Sequence, residues 1–308
     1  NISLILILCL LLGACKNGNA SSQNKSETPQ DTIKAIKMPA IPQMMTAPEQ
    51  RADFLAKHYW DNVNFADTNY IHHPEVTEQA WADYCDLLNH VPLETAQQAM
   101  RNVIDRTNVD KKVFTYITDL ADKYLYDPNS PMRNEEFYIP VLEAMIASPV
   151  LNETEKIRPQ ARLKLAQKNR IGTKALNFTY TLASGAQGSL YQLKAEYLLL
   201  FINNPGCQAC TETIEGLKNA PIINQLLQEK KLVLLSIYPD EELDEWKKHL
   251  SEFPNEWING YDKKFTIKEE QVYDLKAIPT LYLLDKDKTV LLKDATAPAI
   301  EAYLMQHQ

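Results

Sequence analysis

Cysteine is scarce in this chain: five in 308 residues, at positions 9, 15, 85, 207 and 210. Such sparse use argues against a small scaffold stapled by disulfides. One pair has motif spacing, Cys207-Gln208-Ala209-Cys210, and neither a second CxxC nor a His-x₃₋₅-His accompanies it. A structural zinc site wants four ligands, usually from two such pairs, so no metal is expected. His249 and His307 stand alone, and His72-His73 lies before Pro74 without a companion ligand. An excess of positive charge is also missing. Lys and Arg number 32 against 40 Asp and Glu, a net charge of −8 with the signs interspersed, so there is no basic footprint for nucleic acid. Long apolar runs are absent too. The run at residues 2–12 falls short of the roughly 20 residues a spanning helix needs.

What is present is concentrated in residues 197–210. An apolar run of strand length, Tyr-Leu-Leu-Leu-Phe-Ile, stops at Asn203-Asn204-Pro205-Gly206, and the two cysteines follow at once. Beyond Cys210 the apolar residues take helical spacing, at Ile214, Leu217, Ile222, Ile223, Leu226 and Leu227. This order predicts Cys207 at or just before a helix N-terminus, where unpaired N–H groups and the helix dipole favour a thiolate. Cys210, one turn on, is a ready disulfide partner. Redox chemistry is the favoured account, with an inert structural disulfide as the alternative. Cys207 is expected to be the exposed, attacking sulfur and Cys210 the buried, resolving one. A peroxidase is excluded on pattern, because Asn204 rather than Thr or Ser stands three residues before Cys207.

Residues 1–14 read as a secretory signal, apolar and ending in small residues. Leu12-Gly13-Ala14-Cys15 resembles the lipobox of bacterial lipoproteins. That resemblance implies cleavage before Cys15 and a diacylglycerol on its sulfur; a plain signal peptide is the alternative. Cys9 is then discarded. Lys16 after the cysteine implies the outer membrane, and with no acidic export cluster the expected location is its periplasmic face. Residues 15–45 follow as a lipidated cysteine and a polar tether too poor in apolar residues to fold.

Residues 46–170 predict an all-α bundle of five or six helices. Thr46-Ala-Pro-Glu49 reads as a capping-box start, and amphipathic runs cover about 77–90, 93–106, 110–126, 134–147 and 153–169. Pro74, Pro92, Pro128 and Pro149 mark breaks, and Pro159 is expected to kink the last helix or delay its start. Cys85 and the four tryptophans are expected in cores. Residues 171–308 change character. A hairpin near 178–193 leads to strand 197–202, the CxxC helix, strand 232–238, a helix near 243–250, a hairpin over 280–293 and a helix capped near Thr296.

That order, together with Ser189-Leu-Tyr-Gln-Leu-Lys194, Cys207-Gln-Ala-Cys210 and Ala277-Ile-Pro-Thr280, makes residues 171–308 similar to the TlpA-like thioredoxin family of envelope thiol–disulfide oxidoreductases. The resemblance implies an α/β thioredoxin-like fold preceded by the all-α domain. It also implies a cis proline at Ile278-Pro279 beside the cysteines, with main-chain groups there offered to an extended substrate. The implied partners are cysteine-containing exported proteins and a membrane or periplasmic redox partner, with no cofactor. The helical half resembles an uncharacterised domain that precedes thioredoxin-like modules in some exported bacterial proteins. The chain departs from its relatives at Phe201, where thioredoxins carry a buried acid. Glu212 and Glu215 are candidate substitutes, or simply acids steadying the start of a helix. Gln208-Ala209 lacks the Pro and His that mark reducing and isomerising members. The alternative function is a non-catalytic envelope protein whose helical domain binds a peptide or glycan, with the α/β half as scaffold.

Overall fold

The computed structural model describes residues 35–307. The expectations for the signal segment, for Cys15 and for the tether up to residue 34 therefore lie outside the described residues.

Six α-helices come first: α1 Pro48–His58, α2 Pro74–Leu88, α3 Leu93–Arg106, α4 Lys111–Ala121, α5 Glu135–Ala147 and α6 Glu153–Ala166. Short polar side chains satisfy the free N–H groups at several of their starts. Asp110 accepts from Lys112 and Val113, Asn134 accepts from Phe137, and Asn152 forms a reciprocal capping box with Glu155. One expectation needs correcting and another narrowing. The start of α1 is set by Pro48 in the first turn, with Ala47 as a cap that has no side chain to offer, so Thr46 and Glu49 form no capping box. Helix α6 starts where the 153–169 run predicts, at the Asn152 box, so Pro159 does not delay its start and lies buried in its interior.

The helices close over a shared core that includes Trp81, Tyr84, Leu88, Met100, Ile104 and Phe114. Trp60, Trp81 and Tyr84 meet with ring centroids 5.6–6.2 Å apart. Each such side chain contributes about 1.5–3 kcal/mol by leaving water. Cys85 sits inside this core, where burial pushes its thiol well above the ordinary range.

The second half is one seven-stranded sheet with helices on it. The strands are β1 Thr179–Leu182, β2 Gln187–Ser189, β3 Tyr197–Ile202, β4 Leu232–Tyr238, β5 Ile258–Tyr261, β6 Thr280–Asp285 and β7 Val290–Lys293, in spatial order β2-β1-β5-β4-β3-β6-β7. Helices α7 Gln208–Lys218, α8 Pro221–Gln228, α9 Leu243–His249 and α10 Ala297–Gln306 complete it. Central β3 runs parallel to β4 and antiparallel to β6. Its alternate residues enter two different cores: Leu199 and Phe201 pack with α7, α8 and α10, while Leu198, Leu200 and Ile202 pack on the other face with Tyr273 and Tyr282. A strand covered on both faces has no polar side, which explains its unbroken apolar run.

Strand β5 is an addition to the expected order. It joins β4 to the hairpin strand β1, and it is short and carries Asn259 and Gly260, both poor strand formers. The glycine has a packing reason: a Cβ there would stand 3.0 Å from the Tyr180 ring and 3.3 Å from the Thr181 carbonyl.

Polar contacts join the halves. Lys168 donates to the Gln271 carbonyl at 2.6 Å, Asn169 donates to that of Val272 at 2.7 Å, and Lys293 donates to that of Lys168 at 2.8 Å. Deeper in, Lys276 lies 2.8 Å from Glu135 at the start of α5, 3.2 Å from Asp274 and 3.6 Å from Asp294, and Lys293 also pairs with Glu135.

Candidate active site

The C-terminal end of central β3 delivers the cysteines to one end of the sheet. Asn203 is buried and donates to the Ser236 hydroxyl at 2.8 Å, and Asn204 donates to Asp240 at 2.8 Å. Burial opposes ionisation of Asp240, but the hydrogen bonds from Lys268 and Asn204 win, and its carboxyl is held below the usual range. Gly206 then turns the chain at φ +71°, a conformation that glycine adopts without the penalty other residues meet.

Cys207 is the N-cap of α7. Its sulfur accepts from the Cys210 backbone N–H at 3.3 Å, filling the role a Ser or Asp oxygen usually takes. The Cys207 thiol also donates to the Ile278 carbonyl at 3.7 Å. The Ile278–Pro279 peptide bond is cis, as expected. The structure thus brings Cys207, Cys210, Ile278 and Pro279 together from positions some seventy residues apart. Both cysteines are free thiols, Cys207 half-buried and Cys210 buried. Burial and the hydrogen bond with Cys207 push the Cys210 thiol well above its ordinary range.

The surrounding acids do not gather at the sulfurs. Phe201 is buried and packs edge-to-face on Trp257, centroids 6.4 Å apart, so no carboxylate stands at that position. Glu212 accepts from Gln208 at 2.9 Å and Glu215 pairs with Lys218 at 2.9 Å. Both are exposed, whereas Cys210 is buried. Neither belongs to the first turn of α7, so the proposed role in steadying the helix start does not hold either. His73 pairs with Glu75 at 3.0 Å, and all four tryptophans lie in cores.

Some residues of the site escaped sequence reasoning. Asp240 anchors the loop before Cys207, and Lys276 ties the segment before Ile278 to the helical half. A charged side chain in a sequence gives no sign of burial until its partners, here scattered from 135 to 294, are brought together. Beside the cis-proline loop lies a groove of about 480 Å³, lined by Ala209 and Glu212 of α7, by Ile278 and Pro279, and by Pro128 and Arg133 of the helical half.

Comparison with known proteins follows the same division. Residues 14–169 match the family DUF5106, a domain of unknown function, and residues 195–290 match a thioredoxin-like family. The crystal structure of a thioredoxin-like protein from Bacteroides caccae is 84% identical, covers 90% of this chain and 100% of its own, and superposes with a TM-score of 0.88. The chain belongs to the thioredoxin-like proteins that carry an N-terminal DUF5106 domain. Its thioredoxin-like domain is also similar to the C-terminal domain of an uncharacterized Bacteroides fragilis protein (69% identity, 44% of this chain and 98% of that one, TM-score 0.44). The thioredoxin domain of a thiol–disulfide oxidoreductase from Bacteroides vulgatus is a further neighbour (20% identity, 45% and 97%, TM-score 0.41). No curated protein matches the chain.

Proposed function

We propose that this thioredoxin-like protein is a thiol–disulfide oxidoreductase of the bacterial cell envelope, held at the periplasmic face of the outer membrane by a lipid on Cys15. The observation that carries the redox assignment is the joint placement of the sulfurs. Cys207 caps α7, half-buried and 3.7 Å from the carbonyl of Ile278, with buried Cys210 one turn behind it.

The chemistry follows from that order. The Cys207 thiolate attacks one sulfur of a substrate disulfide, forming a mixed disulfide and releasing the other sulfur, which takes a proton. Cys210 then gives up its proton and attacks the Cys207 sulfur. A Cys207–Cys210 disulfide forms, the second substrate thiol leaves, and two electrons have passed to the substrate. A dithiol partner, in the membrane or the periplasm, returns the pair to its reduced form, and the same steps run backwards oxidise a client. Cysteine-bearing exported proteins are the substrate class, and Ile278 and Pro279 flank the attacking sulfur as the substrate-binding edge. Burial of Cys210 orders the events, because the sulfur harder to ionise and to reach is the one that acts second.

The reduction potential tests this. A working pair falls between thioredoxin-like and oxidising values, whereas a potential far below about −300 mV marks a structural disulfide and defeats the proposal. Phe201 in place of a buried acid supports a second reading, a non-catalytic binding protein whose helical domain holds a peptide or glycan. Such a protein would show no dithiol activity on any disulfide.

A further inference from the structure

The groove beside the cis-proline loop has one wall from each domain, and the DUF5106 wall is built before any substrate arrives. Residues 127–134 form a closed loop: the Asp127 side chain accepts from Asn129 at 2.8 Å, the Ser130 hydroxyl donates to the Tyr124 carbonyl at 2.6 Å, and Asn134 N–H donates to the Leu125 carbonyl at 3.0 Å. The loop is fixed to the other domain at its C-terminal end. The Arg133 guanidinium donates to the Asp294 carbonyl at 2.7 Å, and Glu135 just beyond it meets Lys276 and Lys293. Lys276 lies two residues before Ile278, so the same cluster holds both walls.

Resting on the oxidoreductase proposal, we infer that residues 128–133 are a selectivity wall that makes the enzyme prefer cysteines in extended polypeptide over small disulfides. Ile278 lines the groove, and its carbonyl accepts from the Cys207 thiol at 3.7 Å, so residues neighbouring a sulfur that engages Cys207 come within reach of the groove. At about 480 Å³ it falls in the range of preformed ligand pockets. Its polar groups come from both sides, Arg133 from one domain and Glu212 from the other, beside the apolar surface of Pro128, Ala209 and Pro279. A polypeptide has both apolar side chains and main-chain polar groups to match this lining. A small disulfide reaches Cys207 and leaves the groove empty.

Asn129 is exposed on this loop, lines the groove and takes no part in the ionic cluster, so it can be enlarged without loosening the domain contact. The test is Asn129→Trp in the complete chain, with Asn129→Arg as a second variant of different chemistry. Turnover is measured on a disulfide-bonded unstructured peptide and on a small aromatic disulfide. With the peptide, kcat/KM should fall about five- to tenfold, carried by KM. With the small disulfide it should stay within about twofold, which also reports an intact fold. Equal losses on both substrates, or no loss on the peptide from either variant, would overturn the selectivity wall while leaving the redox assignment standing. A wild type inactive on both substrates would defeat the oxidoreductase proposal itself, and the wall with it.

Discussion

Replacing Lys276 with Met removes one charge from the most buried ionic cluster between the two domains. The Lys276 side chain is 6% exposed, and its partners Glu135, Asp274 and Asp294 are 12%, 8% and 12% exposed. Breaking a buried ion pair from one side costs about 3–5 kcal/mol, because the stranded partner keeps its desolvation cost without its attraction. Asp274 and Asp294 are stranded here. Lys293 still faces Glu135, which holds the expected cost near the lower end, about 3 kcal/mol. For a chain of this size 1 kcal/mol moves Tm by about 2–4 °C, so thermal unfolding should shift down by about 6–12 °C. An exposed pair serves as control: Lys57 and Asp53 are 47% and 36% exposed, and Lys57→Met should cost no more than about 1 kcal/mol. The pH dependence has a definite sign. Burial alone would lower the Lys276 value, but the carboxylates outweigh it and raise the value above the ordinary lysine range. Its stabilisation is then fully present below the unfolded value of about 10.4 and is lost as pH rises through the folded one. The wild-type margin over Lys276→Met should therefore hold from neutral pH to about 10 and shrink above it. A shift under about 2 °C, or one no larger than the control's, would refute the claim that this cluster holds the domains together.

Two further outcomes are expected. In single Cys→Ser variants at neutral pH, alkylation should modify Cys207 faster than Cys210, since Cys210 is buried and its thiol is pushed up; the reverse order by mass spectrometry would invert the attacking and resolving roles. Replacing Cys15 with Ala should leave an uncut precursor and remove lipid-dependent membrane fractionation, since two or three acyl chains give stable anchoring where one does not; unchanged processing would rule out the anchor.

The features legible in the sequence were those whose cause is local. A breaker between an apolar run and a CxxC can end a strand and start a helix without help from elsewhere, and Cys207 caps α7 accordingly. The proline-marked breaks of the helical half likewise fell where chain sterics put them. What was missed depends on distant partners. Strand β5 exists because β1 and β4 supply its hydrogen bonds, and Gly260 suits it because of Tyr180, about eighty residues away. Of the two effects expected of Pro159, a delayed start is ruled out by the local Asn152–Glu155 capping box that begins α6 six residues ahead of it. Lys276, Glu135 and Asp294 look in sequence like ordinary solvated charges, and only the folded chain brings them together as a buried cluster. Glu212 and Glu215 were offered as replacements for a buried acid, but their side of α7 faces water.

The central claim is that Cys207 attacks and Cys210 resolves, and trapping tests it most directly. Incubated with a disulfide-bonded peptide, Cys210→Ser should stop at a mixed disulfide, because the sulfur that would attack Cys207 is gone. Intact mass should show one peptide half added through Cys207, released by reductant, while Cys207→Ser and wild type accumulate little. A Cys210→Ser protein that forms no reductant-sensitive adduct, or a Cys207→Ser protein that traps just as well, would contradict the assignment.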